Sequence, residues 1–247
     1  MTQTATALSL FAFLFIPGFV TAAPTAGASA SREILYADPT IYSENGRYYL
    51  TGTRNAQPPG FALLESDNLR DWHALEPGAL ILGAGDGSFG TSRFWAPQIF
   101  KEGAEYFLTY TADEQVALAR SQVLGGPYRQ NNIGPIDNSE RNIDSYLFRD
   151  DDGRYYLYHV RFRRGNFLWV AEFDLATNRI KPGTLAQCFG QTEEWEATNS
   201  FRSAPIMEGP SVLKLKGKYY LFYSANHYRS VDYAVGCTLA RTTPPLR

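Results

Sequence analysis

Apolar and polar residues alternate along most of this chain, and one two-strand pattern occurs in four copies, at residues 38–50, 96–108, 144–157 and 209–221. In each copy an alternating run leads to a turn that contains glycine, and a second run rich in aromatic residues follows. This order is typical of a β-hairpin, because period-two alternation turns one face of each strand toward a core. The repeat therefore predicts four hairpins of the same kind.

Shorter apolar segments extend each hairpin into a larger unit. Third strands are predicted at residues 61–64, 116–119, 167–171 and 233–236, and fourth strands near Trp72, Tyr128 and Ile180. Four-stranded units that recur at intervals of roughly 50 to 65 residues are typical of β-propeller blades. No segment keeps a 3.6-residue apolar period, which argues against helical and α/β folds. The pattern predicts an all-β propeller with four evident blades.

The N-terminal residues have a different character. Residues 8–16 form an uncharged apolar run that is too short to span a membrane, and small residues follow up to Ala22. We expect a signal peptide over residues 1–22, which makes the protein secreted or periplasmic. Residues 23–31 are small and polar and predict a flexible leader. The remaining residues, 32–247, predict one β-propeller domain.

Composition narrows the class of ligand. The formal net charge is −2, so the chain has no electrostatic footprint for nucleic acid or for an anionic membrane surface. Aromatic residues make up 15% of the chain, which suits both β-structure and the stacking surfaces that sugars need. Cys188 and Cys237 are the only cysteines, and secretion permits a bridge between them; two buried free thiols are the alternative. The oligomeric state stays open.

Three acids occupy equivalent places in the repeat. Asp38, Asp144 and Glu208 lie at the start of the first strand in copies one, three and four, within one residue of each other, and copy two has Trp95-Ala96 there. If the first strand of each blade is the innermost, all three acids face the same end of a central channel. The alternative is that they are ordinary turn residues, since Asp, Gly and Pro are common where strands begin. Their position beside apolar runs, where an unpaired charge is costly, favours a functional site.

The motifs around these acids resemble glycoside hydrolase family 43. They are found at residues 37–39, 95–98, 143–153 and 208–221, and the resemblance extends from residue 36 to about residue 240. The family consists of five-bladed propellers that act on polysaccharides containing arabinose or xylose. The resemblance implies that this sequence contains four of the blades, with the fifth missing or truncated and the domain incomplete at its C-terminal end. An open stack of four blades is expected to expose an apolar blade face.

The same resemblance assigns roles to the acids. It makes Asp38 the general base, Glu208 the general acid, and Asp144 the residue that raises the pKa of the acid and orients it. A base has to stay ionised to activate water, whereas an acid has to hold its proton near neutral pH, and a second carboxylate nearby raises its pKa. The family inverts the anomeric configuration, so we expect about 6.5 to 9.5 Å between the carboxyl groups of Asp38 and Glu208.

Aromatic residues near the acids are candidate sugar-binding groups. Trp95 either forms an aromatic wall of the pocket or fills the core between blades. Phe94 and Tyr146 are further candidates, for which a structural role is the alternative. His227 follows the second strand of copy four and faces either the pocket or a surface loop.

No metal ligand is assigned, because the three histidines lack metal-ligand spacing. The resemblance implies no required cofactor. Relatives contain a histidine of the fifth blade near a central calcium ion, and this sequence lacks that histidine.

The resemblance implies an enzyme that cleaves O-glycosyl bonds. The leading hypothesis is an inverting, exo-acting α-L-arabinofuranosidase or β-xylosidase whose substrate is an oligo- or polysaccharide of the arabinan, arabinoxylan or xylan type. An endo-arabinanase is the nearest variant, because the loops at the channel mouth decide specificity. A non-catalytic carbohydrate-binding propeller and an inactive truncated relic are the alternatives.

Three other motifs have simpler explanations. Residues 85–90 match a dinucleotide-binding pattern, but the following residues cannot open a helix, so we predict a mobile loop between the first two blades. Residues 150–153 lack the alternating ligand spacing of a calcium loop and predict a hairpin turn. The three arginines within residues 161–164 precede a Gly-Asn hairpin tip and predict a solvated basic loop.

Overall fold

The computed structural model describes residues 34–198 and 205–240, and the fold is given for these residues alone. The predicted signal peptide, residues 1–22, and the predicted leader, residues 23–31, lie outside the described residues. The described part forms seventeen strands and one short 3₁₀ helix, Glu194–Glu196, and contains no α-helix. No helix in this part is long and apolar enough to cross a membrane. The all-β expectation is confirmed.

The strands form four blades and one small additional sheet. Blade one and the small sheet contain β1 (Ala37–Glu44), β2 (Arg47–Thr53), β3 (Gly60–Phe61), β4 (Leu64–Ser66), β5 (His73–Ala74) and β6 (Leu82–Gly83); the order is β1-β2-β4-β5 in the blade and β3-β6 in the small sheet. Blade two contains β7 (Trp95–Glu102), β8 (Glu105–Ala112) and β9 (Gln115–Ser121). Blade three contains β10 (Asn142–Arg149), β11 (Tyr155–Phe162), β12 (Asn166–Asp174), β13 (Arg179–Ile180) and β14 (Ala186–Gln187). Blade four contains β15 (Met207–Leu215), β16 (Lys218–Ala225) and β17 (Ala234–Ala240).

The first strands of successive blades lie next to each other, as expected for the inner strands of a propeller. Strand β1 contacts β7, β7 contacts β10, and β10 contacts β15. Hydrophobic cores fill the spaces between the blades and hold the inner strands together. Their buried members include Phe61, Leu82 and Tyr110 between blades one and two, Phe107 and Leu157 between blades two and three, and Tyr158 and Leu221 between blades three and four.

Two of the predicted hairpin turns have the backbone that their sequences favour. Asn45 and Gly46 have φ of 52° and 77°, and Lys216 and Gly217 have φ of 51° and 71°. Positive φ at both central residues gives a tight turn whose twist matches that of the flanking strands, and glycine adopts it without strain. Strand pairing continues up to both turns, so these two predicted hairpins are confirmed.

The fourth strand predicted near Tyr128 does not form in the described part of blade two. The Tyr128 N–H donates to the carbonyl of Ile81 at 2.8 Å, and its ring is fully buried in the core between blades one and two. A single bridge, between Arg120 and Arg129, connects this segment to β9. The link between the blades offers Tyr128 a backbone partner, and this pairing competes with a fourth strand.

The prediction of a solvated basic loop is wrong for Arg161. This residue belongs to β11, is 1% exposed, and forms ion pairs with Asp137 and Glu140, each at 2.6 Å. Both carboxylates come from the connection between β9 and β10, and they compensate the charge that burial would otherwise make costly. The hairpin tip itself lies between β11 and β12, where it was predicted.

The two other motifs form connections between strands, as predicted. Residues 85–90 form a loop between β6 and β7, in which the Phe89 N–H donates to the Gln130 side chain at 2.8 Å, and no helix follows. Residues 150–153 form the turn between β10 and β11. Neither segment has the geometry of a phosphate-binding or calcium-binding loop.

One face of blade four is apolar and exposed. Leu213, Val235 and Leu239 are 50%, 71% and 48% exposed, and strand pairing places them on the same face of the sheet. The described residues therefore leave uncovered the kind of apolar face that was expected of an open four-blade stack. Cys188 is buried and Cys237 is exposed, and both are free thiols.

Candidate active site

Each inner strand contains a β-bulge at the same place. At every bulge, two residues of the inner strand face one residue of its neighbour. The first bulge residues are Asp38, Ala96, Asp144 and Gly209, with φ of 48°, 43°, 54° and 61°. Such φ values are costly for residues other than glycine, and inside a strand they often mark a functional site. Glu208 directly precedes its bulge residue, which accounts for its one-residue offset in the repeat.

The bulges bring the three acids to one end of the channel. A cavity of about 430 Å³ at this end is lined by residues that include Asp38, Asp144, Tyr146 and Tyr233. Glu208 adjoins the cavity, because the Tyr233 hydroxyl donates a hydrogen bond to Glu208 Oε1 at 3.0 Å. Carboxylates from three different blades therefore share one site.

The carboxylate of Asp38 is held by a threonine of its own blade. The Thr53 hydroxyl donates to Asp38 Oδ2 at 2.6 Å, and Asp38 is otherwise exposed. The same hydroxyl accepts a hydrogen bond from the Ala96 N–H of blade two at 2.9 Å. An exposed carboxylate that is open to accept a proton has the chemistry of a general base.

Asp144 is close enough to the other two acids for both charges to act on it. Its N–H donates to the Thr111 hydroxyl at 3.0 Å, and its Oδ2 accepts from the Gly209 N–H at 3.1 Å. Burial raises the pKa of Asp144 well above its usual value, and the charges of Asp38 and Glu208 raise it further. The bond to Gly209 opposes the rise but does not cancel it. Since Gly209 follows Glu208, this bond ties Asp144 to the backbone that carries the acid.

Glu208 has the electrostatics of a proton donor. Burial raises its pKa, the charge of Asp38 adds to the rise, and the hydrogen bond from Tyr233 opposes it. Asp144 is not among these causes, so its expected effect on the pKa of Glu208 stays a prediction. One carboxyl with a raised pKa and one exposed carboxylate give the site the two groups that acid–base hydrolysis requires.

The four sugar-binding candidates lie in different surroundings. Tyr146 lines the cavity, and its hydroxyl donates to the Val212 carbonyl at 3.1 Å. Trp95 is half-buried and packs against the core between blades three and four. Phe94 is 4% exposed and stacks on Tyr110 in the core between blades one and two, which is a packing role.

His227 lies in the segment between β16 and β17, outside the lining of the cavity. Its ring stacks on Tyr228, with centroids 4.8 Å apart, and its Nδ1 accepts from the Arg229 N–H at 3.1 Å. The neighbouring ring of Tyr228 is 61% exposed. These contacts are those of a surface loop.

Sequence reasoning missed two residues that touch the acids. Thr53 was an unremarked residue of a predicted strand, and Tyr233 was part of a predicted third strand. The repeat contained a signal for Thr53, because Thr53 and Thr111 occupy equivalent places beside the bulges of blades one and two. Nothing in the local sequence pointed to Tyr233, whose contact with Glu208 depends on the path of the connection between β16 and β17.

The described residues do not fit the central calcium site that the family resemblance implies. No group of three or more His, Cys, Asp or Glu side chains in this part of the chain has the geometry to hold a metal ion. The one fully buried histidine, His159, has the Arg161 guanidinium 3.4 Å from its Nε2, and its pKa is lowered to about 4 by burial and by that charge. A metal ion beside His159 would be repelled by the positive charge of Arg161.

Fold and site together define the class of protein: a propeller with carboxylates from several blades at one cavity is a glycosidase architecture. The family model of the glycosyl hydrolases family 43 matches residues 32–246. This chain belongs to that family, and glycoside hydrolysis is its class of activity. No curated protein matches the sequence.

Solved structures agree with the family. An endo-1,4-β-xylanase from Bacteroides thetaiotaomicron is 40% identical, with a TM-score of 0.76 over 84% of this chain and 69% of that one. A thermostable family-43 glycoside hydrolase is 31% identical, with a TM-score of 0.73 over the same shares of the two chains. An endo-arabinase from Bacteroides thetaiotaomicron, 18% identical over 83% of this chain and 75% of that one, shares the fold with a TM-score of 0.70.

Proposed function

We propose that this protein is a secreted glycoside hydrolase that removes terminal arabinofuranosyl or xylosyl groups from plant polysaccharides with inversion of configuration. Glu208 is the general acid, Asp38 is the general base, and Asp144 orients the acid. The observation that carries the proposal is the convergence of these three carboxylates, each from a different blade, on one cavity.

The chemistry follows from the two kinds of carboxyl group. Glu208, whose pKa is raised by burial and by Asp38, gives its proton to the leaving glycosidic oxygen. Asp38 takes a proton from a water molecule, whose oxygen attacks the anomeric carbon from the opposite side. This reaction needs about 6.5 to 9.5 Å between the two carboxyl groups, and that separation is part of the proposal.

The choice of sugar rests on the relatives. The 40% identical structure is called an endo-1,4-β-xylanase, and a more distant structure with the same fold is called an endo-arabinase. Both names refer to polysaccharides of pentoses, which supports arabinan, arabinoxylan or xylan as the substrate. Secretion is supported by the apolar run at residues 8–16.

Hydrolysis of aryl α-L-arabinofuranoside, aryl β-xyloside, arabinan and xylan by the full chain tests the proposal. Asp38→Asn and Glu208→Gln should each lower kcat by about 10²- to 10⁴-fold, because each removes one half of the acid–base pair. Asp67→Asn is the matched control, since Asp67 is an exposed aspartate in the loop between β4 and β5. It should keep the wild-type rate.

Product stereochemistry and binding complete the test. NMR of the first sugar released should show the anomer opposite to that of the substrate. Retention would contradict inversion, and full activity of Asp38→Asn or Glu208→Gln would remove those residues from their roles. Binding of xylan or arabinan without any turnover would favour a carbohydrate-binding propeller instead.

A further inference from the structure

We propose that Thr53 is the positioning residue for Asp38: its hydroxyl, fixed by the backbone of the next blade, directs one oxygen of the carboxylate and leaves the other free to accept a proton. This inference rests on the proposed function, in which Asp38 is the base. Thr53 itself lies beside the site and acts through Asp38.

The direction of the two hydrogen bonds is determined by their partners. The Ala96 N–H can only donate, so the Thr53 oxygen accepts from it at 2.9 Å. The single hydroxyl proton of Thr53 is then free to point at Asp38 Oδ2, 2.6 Å away. A bond from a hydroxyl to a carboxylate is charge-assisted and therefore short and strong.

Asp38 has little else to hold it. Its side chain is exposed, its backbone has a φ of 48°, and among the described residues Thr53 is the one hydrogen-bond donor to its carboxylate. A freely rotating carboxylate would spend much of its time away from the attacking water. Fixing Oδ2 leaves Oδ1 without a hydrogen-bond partner among the described residues, which is the kind of preorganisation that acid–base catalysis needs.

The other blades supply an internal comparison. Thr111 occupies the equivalent place in blade two and accepts from the Asp144 N–H at 3.0 Å, but the first bulge residue of its own blade is Ala96, which has no carboxylate. In blade three the equivalent residue is Val160, which has no hydroxyl. There Asp144 Oδ2 itself accepts a hydrogen bond from the Gly209 N–H of blade four. The hydroxyls of Thr53 and Thr111 therefore each link two blades, and of these two only the Thr53 hydroxyl also contacts a carboxylate.

Three variants of the full chain separate positioning from simple packing. Thr53→Val keeps the shape and removes the hydroxyl, Thr53→Ser keeps the hydroxyl, and Thr111→Val removes the equivalent hydroxyl one blade further. The rate of hydrolysis of the aryl glycoside that the wild type cleaves is measured from about pH 4 to pH 9, with thermal melting of each variant. Asp38→Asn is measured alongside.

The expected result is a loss of kcat in Thr53→Val of about 10- to 100-fold with little change in KM. A loss confined to kcat is the signature of positioning, because a side chain that only packs would change thermal stability without changing the rate at saturating substrate. Thr53→Ser should restore kcat. Thr111→Val should lose similar thermal stability but less kcat than Thr53→Val, because its hydroxyl contacts no carboxylate.

The inference is overturned if Thr53→Val keeps the wild-type kcat, if Thr53→Ser is as impaired as Thr53→Val, or if Thr111→Val loses as much kcat as Thr53→Val. If Thr53→Val does not fold, Thr53→Cys takes its place, and an unchanged kcat there counts against the inference. Asp38→Asn distinguishes a failure of the proposed function from a failure of this inference. Full activity of Asp38→Asn would contradict the proposed function. An inactive Asp38→Asn together with wild-type activity of Thr53→Val would contradict only the role of Thr53.

Discussion

Strand β10 has a carboxylate near each of its ends, and their surroundings are opposite. At the channel mouth Asp144 faces two other acids, and burial and their charges raise its pKa well above the usual value. Just beyond the other end, Asp150 is 3% exposed and accepts hydrogen bonds from Lys214 at 2.5 Å and Tyr219 at 2.7 Å. Burial raises the pKa of Asp150, but these bonds outweigh it and hold the pKa below its usual value.

The comparison separates a functional carboxylate from a structural one on the same strand. Burial alone does not distinguish them, because it acts on both. The difference is the partner: Asp150 has a lysine and a tyrosine from blade four, whereas Asp144 has like charges and one backbone N–H. Buried carboxyl groups without a compensating positive charge are costly, and they cluster at functional sites.

The largest expected effect comes from Asp144→Asn. The variant should lose about 10²-fold or more of kcat, because the amide alters the contact that orients the backbone of Glu208. It should also melt at a higher temperature than the wild type at pH 7, since it removes a buried carboxyl whose ionisation the folded state disfavours.

The pH dependence of that gain has a definite sign. A carboxyl whose pKa is raised on folding binds its proton more tightly in the folded state, so its ionisation costs stability as pH rises above the unfolded value of about 4. The melting advantage of Asp144→Asn should therefore be small near pH 4 and grow toward pH 7. A lower melting temperature than the wild type at pH 7 would mean that Asp144 is a structural carboxylate like Asp150.

Asp150→Asn should have the opposite effect. Loss of the charge leaves Lys214 and Tyr219 with a weaker acceptor and should cost about 2 kcal/mol, or roughly 5 °C in melting temperature, with kcat nearly unchanged. Because the pKa of Asp150 is lowered on folding, its stabilisation is present above the unfolded pKa and is lost as pH falls through the folded one. The two melting curves should approach each other below about pH 4. A loss of kcat at unchanged stability would make the comparison wrong.

Tyr233→Phe should have the smallest effect. It removes the donor that opposes the raised pKa of Glu208, so that pKa should rise further. Since the acid works in its protonated form, the basic limb of the kcat/KM profile should move to higher pH, with less than a tenfold change in maximal rate. A shift of the basic limb to lower pH would show that the hydroxyl stabilises the protonated acid instead.

Several elements could be predicted because they depend on neighbours in the chain. The turn at Asn45-Gly46 and the strand pairing of the four hairpins follow from local sequence patterns. The meeting of Asp38 with Asp144 could be predicted because equivalent positions of a repeat face the same end of a propeller. Arg161 and Tyr128 were assigned wrongly, since their partners lie in connections that carry no repeating pattern.

The amino-acid order by itself determined the strands, their alternation and the residue types at each inner-strand start, because periodicity and turn chemistry act over a few residues. Only the tertiary structure decided which of these acids has a raised pKa, that Asp150 is neutralised from blade four, and that the Thr53 hydroxyl lies between Asp38 and the next blade. Electrostatic energies and hydrogen bonds depend on distances of a few ångströms between residues far apart in the chain, and those distances exist only once the blades have packed.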